Sequence, residues 1–263
     1  MNTAHTTTDV RISADHQPGA LRYPEEFLIA CGIHRLRPEE FLRQFVNRLR
    51  YRGLLCGSQD DTEHAVNEVI FDYLQICGKR GDIEKTDQAL HRKWLKKLNT
   101  IIERDWKLTE HELEANMGYT LLACRKEICT KREQATQVST PDGYTIQLPG
   151  NFIVMCFMYG VSPEAVLQHL IDNISLAMEA AVNQYGMAGF NPFMNFFHSM
   201  SAQFFRDSKE LRAAGFYRYD RELVSLYEAL QGERDYATRL AALTAHYRAW
   251  YKGVQDIPVM PAG

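Results

Sequence analysis

"PEEFLIACGIHRLRPEEFLRQFVNRL", Pro24 to Leu49, lies without a gap over "PGNFIVMCFMYGVSPEAVLQHLIDNI", Pro149 to Ile174, when the chain is shifted by 125 residues. Six positions are identical: Pro24/Pro149, Phe27/Phe152, Cys31/Cys156, Pro38/Pro163, Glu39/Glu164 and Leu42/Leu167. Nine more exchange similar residues, which makes fifteen of twenty-six. The shared positions are those that a helix, a tight turn and a second helix require. Phe27, Cys31 and Leu36 face inward with Phe41, Phe45 and Leu49, and Pro38 stands where a helix begins without needing an amide hydrogen. In the second copy Gly160 suits a left-handed helix exit, Ser162 a cap, and Glu164 the positive end of the next helix.

The simplest account is duplication, with two helical halves each opening on the same corner. Chance similarity between amphipathic helices is the alternative, since such helices share apolar spacing in any case. The gapless Pro-Glu and Cys matches favour duplication.

The rest of the chain agrees with a mainly α fold. From Tyr23 onward apolar residues recur at intervals of three and four, the spacing of helices that each bury one stripe. Helices are expected at about 24–35, 38–51, 61–78, 86–104, 109–134, 151–159, 163–184, 192–206, 219–231 and 234–252. Asp61 or Thr62 can cap the third, Thr109 with Glu112 suits a capping box, and Gly78 and Gly232 suit helix exits. "QVSTPDGYTIQLPG" breaks the pattern: Pro141, Asp142 and Gly143 between two β-prone stretches are hairpin chemistry. The organisation expected is a flexible tail over 1–22, a helical half over 23–136, a hairpin connector over 137–148 and a second half over 149–263, with the halves packed as one unit. An isolated hairpin is marginal in water, so this one must pack on the helices or a partner.

Composition sets the class. The 263 residues are 45% hydrophobic and 24% charged, as in ordinary globular proteins. No apolar run approaches the roughly 18 residues of a membrane span and no signal-like core opens the chain, so the expectation is a cytoplasmic protein that does not bind membranes. Six scattered cysteines without CxxC spacing read as reduced, mostly buried thiols. The net charge of −3 implies no overall attraction to nucleic acid.

The two corners differ in charge. Where the second carries Gly160, Ser162, Gln168, Asn173 and Ser175, the first carries Arg35, Arg37, Arg43, Arg48 and Arg50, with Arg52 beyond. Helix-turn-helix proteins place the second helix of such a corner in the major groove. Arg43, Gln44, Asn47 and Arg48 are types able to read base edges, and Arg35 and Arg37 able to hold phosphates. The competing reading is a solvated arginine-rich face, or one paired with acidic residues of the other half.

Further candidates carry weaker signals. Lys93, Lys96 and Lys97 around Trp94 make a basic amphipathic helix of the kind that binds nucleic acid, membranes or acidic partners, beside the plainer reading of a surface helix burying Trp94, Leu95 and Leu98. His64 with Glu68 and His111 with Glu114 are one-turn pairs, too common to imply a metal. "GFNPFMNFFHSMSAQFF" concentrates apolar side chains on several helix faces, as a buried helix does or one lining an apolar pocket or interface through Phe193, Phe197 and Met200. His198 reads there as a satisfied core histidine. The C-terminal pair of helices forms an αα-hairpin whose tyrosine edge suits a protein contact. GxGxxG, GxxxxGK[ST], GxSxG and HExxH do not occur, so no catalytic residue, metal or cofactor is assigned. The expectation is a non-enzymatic interaction or regulatory protein with a protein partner or self-association; a nucleic-acid-binding regulator and an apolar-ligand protein are the alternatives.

Overall fold

The computed structural model describes residues 21–49, 60–77, 85–105, 110–131, 136–183, 191–207 and 216–255. The expected tail over 1–20, Arg50, Arg52, and the ends at Gly78 and Thr109 lie outside them. Among the described residues the fold is mainly α, with eleven helices and one two-stranded antiparallel sheet. The helices are α1 (Glu25–Ile33), α2 (Pro38–Arg48), α3 (Asp61–Cys77), α4 (Lys85–Asp105), α5 (Glu110–Lys131), α6 (Gly150–Tyr159), α7 (Pro163–Asp172), α8 (Leu176–Asn183), α9 (Pro192–Asp207), α10 (Phe216–Ala229) and α11 (Tyr236–Gln255). Between α5 and α6 run β1 (Gln137–Ser139) and β2 (Thr145–Gln147), with Val138 paired to Ile146.

The two corners have one backbone geometry. Pro24 and Pro149 precede their helices at φ −60° and −63°. Arg35 and Gly160, matched in the sequence, are both left-handed, at φ 54° and 64°. The amide of Leu36 donates to the Cys31 carbonyl at 2.9 Å, and that of Val161 to Cys156 at 2.9 Å. This helix-exit bond satisfies a carbonyl that the last turn leaves open. Ser162 Oγ then accepts from the Ala165 amide at 3.2 Å and caps α7. The bend between α6 and α7 is 96°. Phe27, Cys31, Leu36, Phe41, Phe45 and Leu49 are all buried.

Equivalence extends beyond the corners. Asp60 Oδ1 accepts from the Glu63 amide at 2.9 Å and Asn191 Oδ1 from Met194 at 3.2 Å, so α3 and α9 begin on the same cap. Counted from those caps, buried Ala65, Val66, Val69 and Ile70 correspond to buried Phe196, Phe197, Met200 and Ser201. Where α3 has small or medium side chains, α9 has mostly large ones, and the two helices pack on each other. In α5 and α11 the burial pattern matches Met117, Cys124 and Ile128 with Leu243, Trp250 and Val254.

The halves are interlocked rather than set side by side. α5, which ends the helices of the first half, packs on α6, which opens the second; α11, which ends the second, packs on α1, which opens the first. Likewise α3 packs on α7 and α9 on α2. The α5–α6 contact thus has its counterpart in α11–α1, and the α3–α7 contact in α9–α2. The aromatic core is shared accordingly. Phe45 meets Phe152 and Phe196 at centroid distances of 6.4 and 5.3 Å, and Phe41 meets Phe196 and Phe197 at 5.2 and 5.6 Å.

Three expectations need correction. Leu21 is buried, and Arg22 exchanges two 2.8 Å bonds between its backbone and the Gln168 amide, so residues 21–22 belong to the folded body and not to a tail. The helix expected over 163–184 is two, broken after Asp172. Asn173 bonds the His169 carbonyl at 2.8 Å and Ser175 caps α8 through the Met178 amide at 3.2 Å; both residue types offer the backbone an alternative to helix. The cap of α3 is Asp60, not Asp61 or Thr62. The hairpin packs as required: Val138, Ile146 and Leu148 are buried, and β2 lies against α2.

Candidate functional site

The arginine-rich corner is placed as follows. Arg35 sits in the left-handed turn and its Nη2 donates to the Val254 carbonyl of α11 at 2.9 Å. Arg37 is exposed and pairs with Glu39 at 3.4 Å. Arg43 is exposed but its guanidinium is held by Glu40, whose other oxygen accepts from Gln44 Nε2 at 2.8 Å. Asn47 is exposed and Arg48 half-buried. The fold therefore sets Arg37, Arg43 and Asn47 outward and turns Arg35 inward, onto the interlocking helix of the other half. Arg37 and Arg43 thus pair with glutamates of α2 itself, and Arg35 with a backbone carbonyl, rather than with acidic residues of the other half.

Phe193, Phe197 and Met200 come together inside the molecule, all buried. Phe197 contacts the rings of Phe41 and His34 at 5.6 and 5.1 Å, and Phe193 contacts His169 at 5.2 Å. Aromatic rings of both halves surround them, which is core packing between α9 and its neighbours. His198 departs from its expected place in the core: its side chain is 44% exposed and bonds Glu179 of α8 at 2.8 Å. Its neighbour His34 is half-buried, and its pKa falls from 6.5 to about 4 because burial disfavours the cation and His198 adds to the effect. His169 is buried and ties α7 to Asp72 of α3 at 2.8 Å.

Cys31, Cys124, Cys129 and Cys156 carry free thiols. Burial, with Glu127 next in importance, pushes the Cys124 thiol up to about 12, so it stays protonated and unreactive at neutral pH. His64 is exposed on α3. Among the described residues no group of three or more His, Cys, Asp and Glu side chains has metal-binding geometry. No single described helix is long and apolar enough to cross a membrane; the bent pair α6 and α7 meets the length and composition together, and its apolar residues lie in the core.

The feature that packing does not account for is the outer pair α4 and α5. Trp94 is buried beneath its own lysines, with Lys93 and Lys97 over the indole at 5.1 and 4.7 Å, and its Nε1 donates to Glu127 at 3.0 Å. Lys93 reaches the same carboxylate at 2.5 Å. That bridge fixes α4 against α5. On the outer side Arg92, Lys93, Lys96, Lys97 and Lys126 are exposed. Beside them on α5 Tyr119 is 81% and Leu122 63% exposed. The lysines around Trp94 were legible in the sequence. Tyr119 and Leu122 were not, because the apolar residues of α5 occur on several faces and only the packing shows which are left out. No protein-family model matches this chain, and comparison with curated proteins and with solved structures finds no similar protein.

Proposed function

We propose that the chain is a non-enzymatic interaction or regulatory protein, built on a duplicated helical unit in which the first copy has acquired a partner-binding outer face. The observation that carries this reading is the exposure of Tyr119 and Leu122. By the burial match of α5 to α11, the same two places in the second half hold Ala245 and Arg248. Arg248 makes a two-pronged bond to Glu25 at 2.9 and 2.6 Å, a surface pair that supports α1. The fold is thus satisfied by small and charged residues at these positions. An exposed tyrosine and leucine cost solubility without adding to packing, and contiguous exposed apolar residues mark contact surfaces.

Nucleic-acid binding by the corner ranks below this reading. Arg35 is turned onto Val254, and Arg37 and Arg43 stand beside Glu39 and Glu40, which diminishes the field that phosphates would meet. The interaction reading is tested by site-specific photo-cross-linking in cells that make the protein. A benzophenone side chain at position 119 is expected to give protein adducts of discrete mass, while the same group at position 245 gives none. Absence of adducts at 119 would overturn the reading.

A further inference from the structure

We infer that the outer face of α4 and α5 takes an amphipathic helix of a partner protein, with a leucine-rich seam and acidic flanks. This rests on the interaction reading above and names its surface and the chemistry of the occupant.

Charge is the first argument. Arg92, Lys93, Lys96, Lys97 and Lys126 are exposed and cluster at the middle of the pair. Over their whole length α4 and α5 carry nine Lys and Arg against seven Asp and Glu, a net of +2, and α10 and α11 carry five against three, also +2, so the first half differs in the clustering of its cations and not in their excess. Such a local cluster is complementary to an acidic partner and steers its approach.

Relief is the second argument, and it selects a helix over other polyanions. Gly118, Tyr119, Leu122 and Ala123 share one exposed face of α5, because residues three and four apart are neighbours on a helix. Two large side chains alternate diagonally with two small ones, and a Cβ on Gly118 would meet nothing within 4 Å. The result is a surface of two knobs and two recesses, the form into which side chains of another helix insert. A flat bilayer has no use for recesses. A nucleic acid gains nothing from Leu122, and the indole able to stack on bases is covered by Lys93 and Lys97. The acidic flanks of the partner are fixed by placement. The short connection makes α4 and α5 antiparallel, so from the Lys93–Glu127 bridge Lys97 comes level with Ala123, and Lys126 lies one turn from Leu122.

The test uses the full chain and a labelled three-heptad helical peptide with leucine along one face and glutamate on both sides, read by fluorescence anisotropy. Its comparators are the same peptide with lysine for glutamate, vesicles one-third phosphatidylserine, and a single-stranded DNA oligomer. The glutamate peptide is expected to bind in the micromolar range and to weaken at least about tenfold with Tyr119→Ser/Leu122→Ser and, separately, with Arg92→Glu/Lys96→Glu. These positions are exposed, so the helical circular dichroism of both variants is expected to be unchanged. Failure of the glutamate peptide to bind at millimolar concentration, equal binding of the lysine peptide, indifference to both variants, or binding of vesicles or DNA in its place would each overturn the proposal. If position 119 still cross-links to proteins in cells, only the acidic-helix inference falls; if it does not, the interaction reading falls with it.

Discussion

Gly32 gives the sharpest test of the interlocked halves, because it is where α11 of the second half presses on α1 of the first. A Cβ at this position would fall on the Tyr251 ring, within 2.6 Å of Cδ2. Gly32→Ala therefore forces the ring aside. Overpacking of this kind costs about 1–3 kcal/mol, and half-buried Tyr251 can swing outward, which places the cost in the lower part of that range. Alanine in place of glycine near the end of a helix returns about 0.5 kcal/mol. The net loss expected is about 1 kcal/mol, or about 2–4 °C in Tm for a chain of this size. Tyr251→Ala alone removes a half-buried ring and is expected to destabilise. In that background, however, Gly32→Ala meets no ring and becomes neutral or stabilising. The coupling in the double-mutant cycle is expected at about 1–1.5 kcal/mol, favouring the double variant, measured by urea unfolding of the four proteins. Additive effects, within about 0.5 kcal/mol, would show that α1 and α11 do not meet here and would refute the reasoning.

Other expectations follow from the same geometry. The contact between α5 and α6 is looser: a Cβ on Gly150 would come 3.0 Å from Arg125 Cδ, a flexible chain, so thermal unfolding of Gly150→Ala is expected to match the parent within about 0.5 kcal/mol. In the turns, Gly160→Ala puts a Cβ on a left-handed residue and is expected to lower stability by about 1–2 kcal/mol. Arg35→Gly relieves the same strain but loses the bond to the Val254 carbonyl, so its change in denaturant midpoint is expected to be near zero. His34 gives a pH signature. Its folded pKa, near 4, lies below the unfolded value of 6.5, so the unfolded chain binds the extra proton. Stability is unaffected by this group above about 6.5, falls as the pH drops from there toward 4, and is flatter in His34→Gln, as a series of unfolding midpoints would reveal. Duplex DNA anisotropy is expected to show no difference between the parent chain and Arg43→Ala/Asn47→Ala at low salt; a steep salt-dependent loss in the variant would restore the nucleic-acid reading.

The corner was readable from the sequence because its determinants are local. Proline at a helix start, a left-handed exit and an inward apolar stripe are set by residues within one or two turns of each other, and the alignment of the two corners isolates them. Arg35 shows the limit of that reading. The match to Gly160 fixes its backbone, but only the arrival of α11 from the far end of the chain turns its guanidinium inward, and no local pattern announces a partner 219 residues away. The break at Asn173 was missed for a related reason. Apolar spacing continues through Ile174, which is buried, while the break depends on Asn173 and Ser175 bonding backbone groups. Tyr119 and Leu122 required the packing itself, since exposure is decided by which faces of α5 its neighbours α4 and α6 cover.

The interlocking of the halves is tested most directly by cutting the chain between them. The turn Pro141–Gly143 is exposed, so a protease site placed there can be cleaved in the folded protein. If α5 is held by α6 and α11 by α1, the two fragments will remain together on size exclusion, keep the helical signal of the intact chain and unfold in a single transition. Fragments that separate, each retaining its helices and unfolding on its own, would contradict the account.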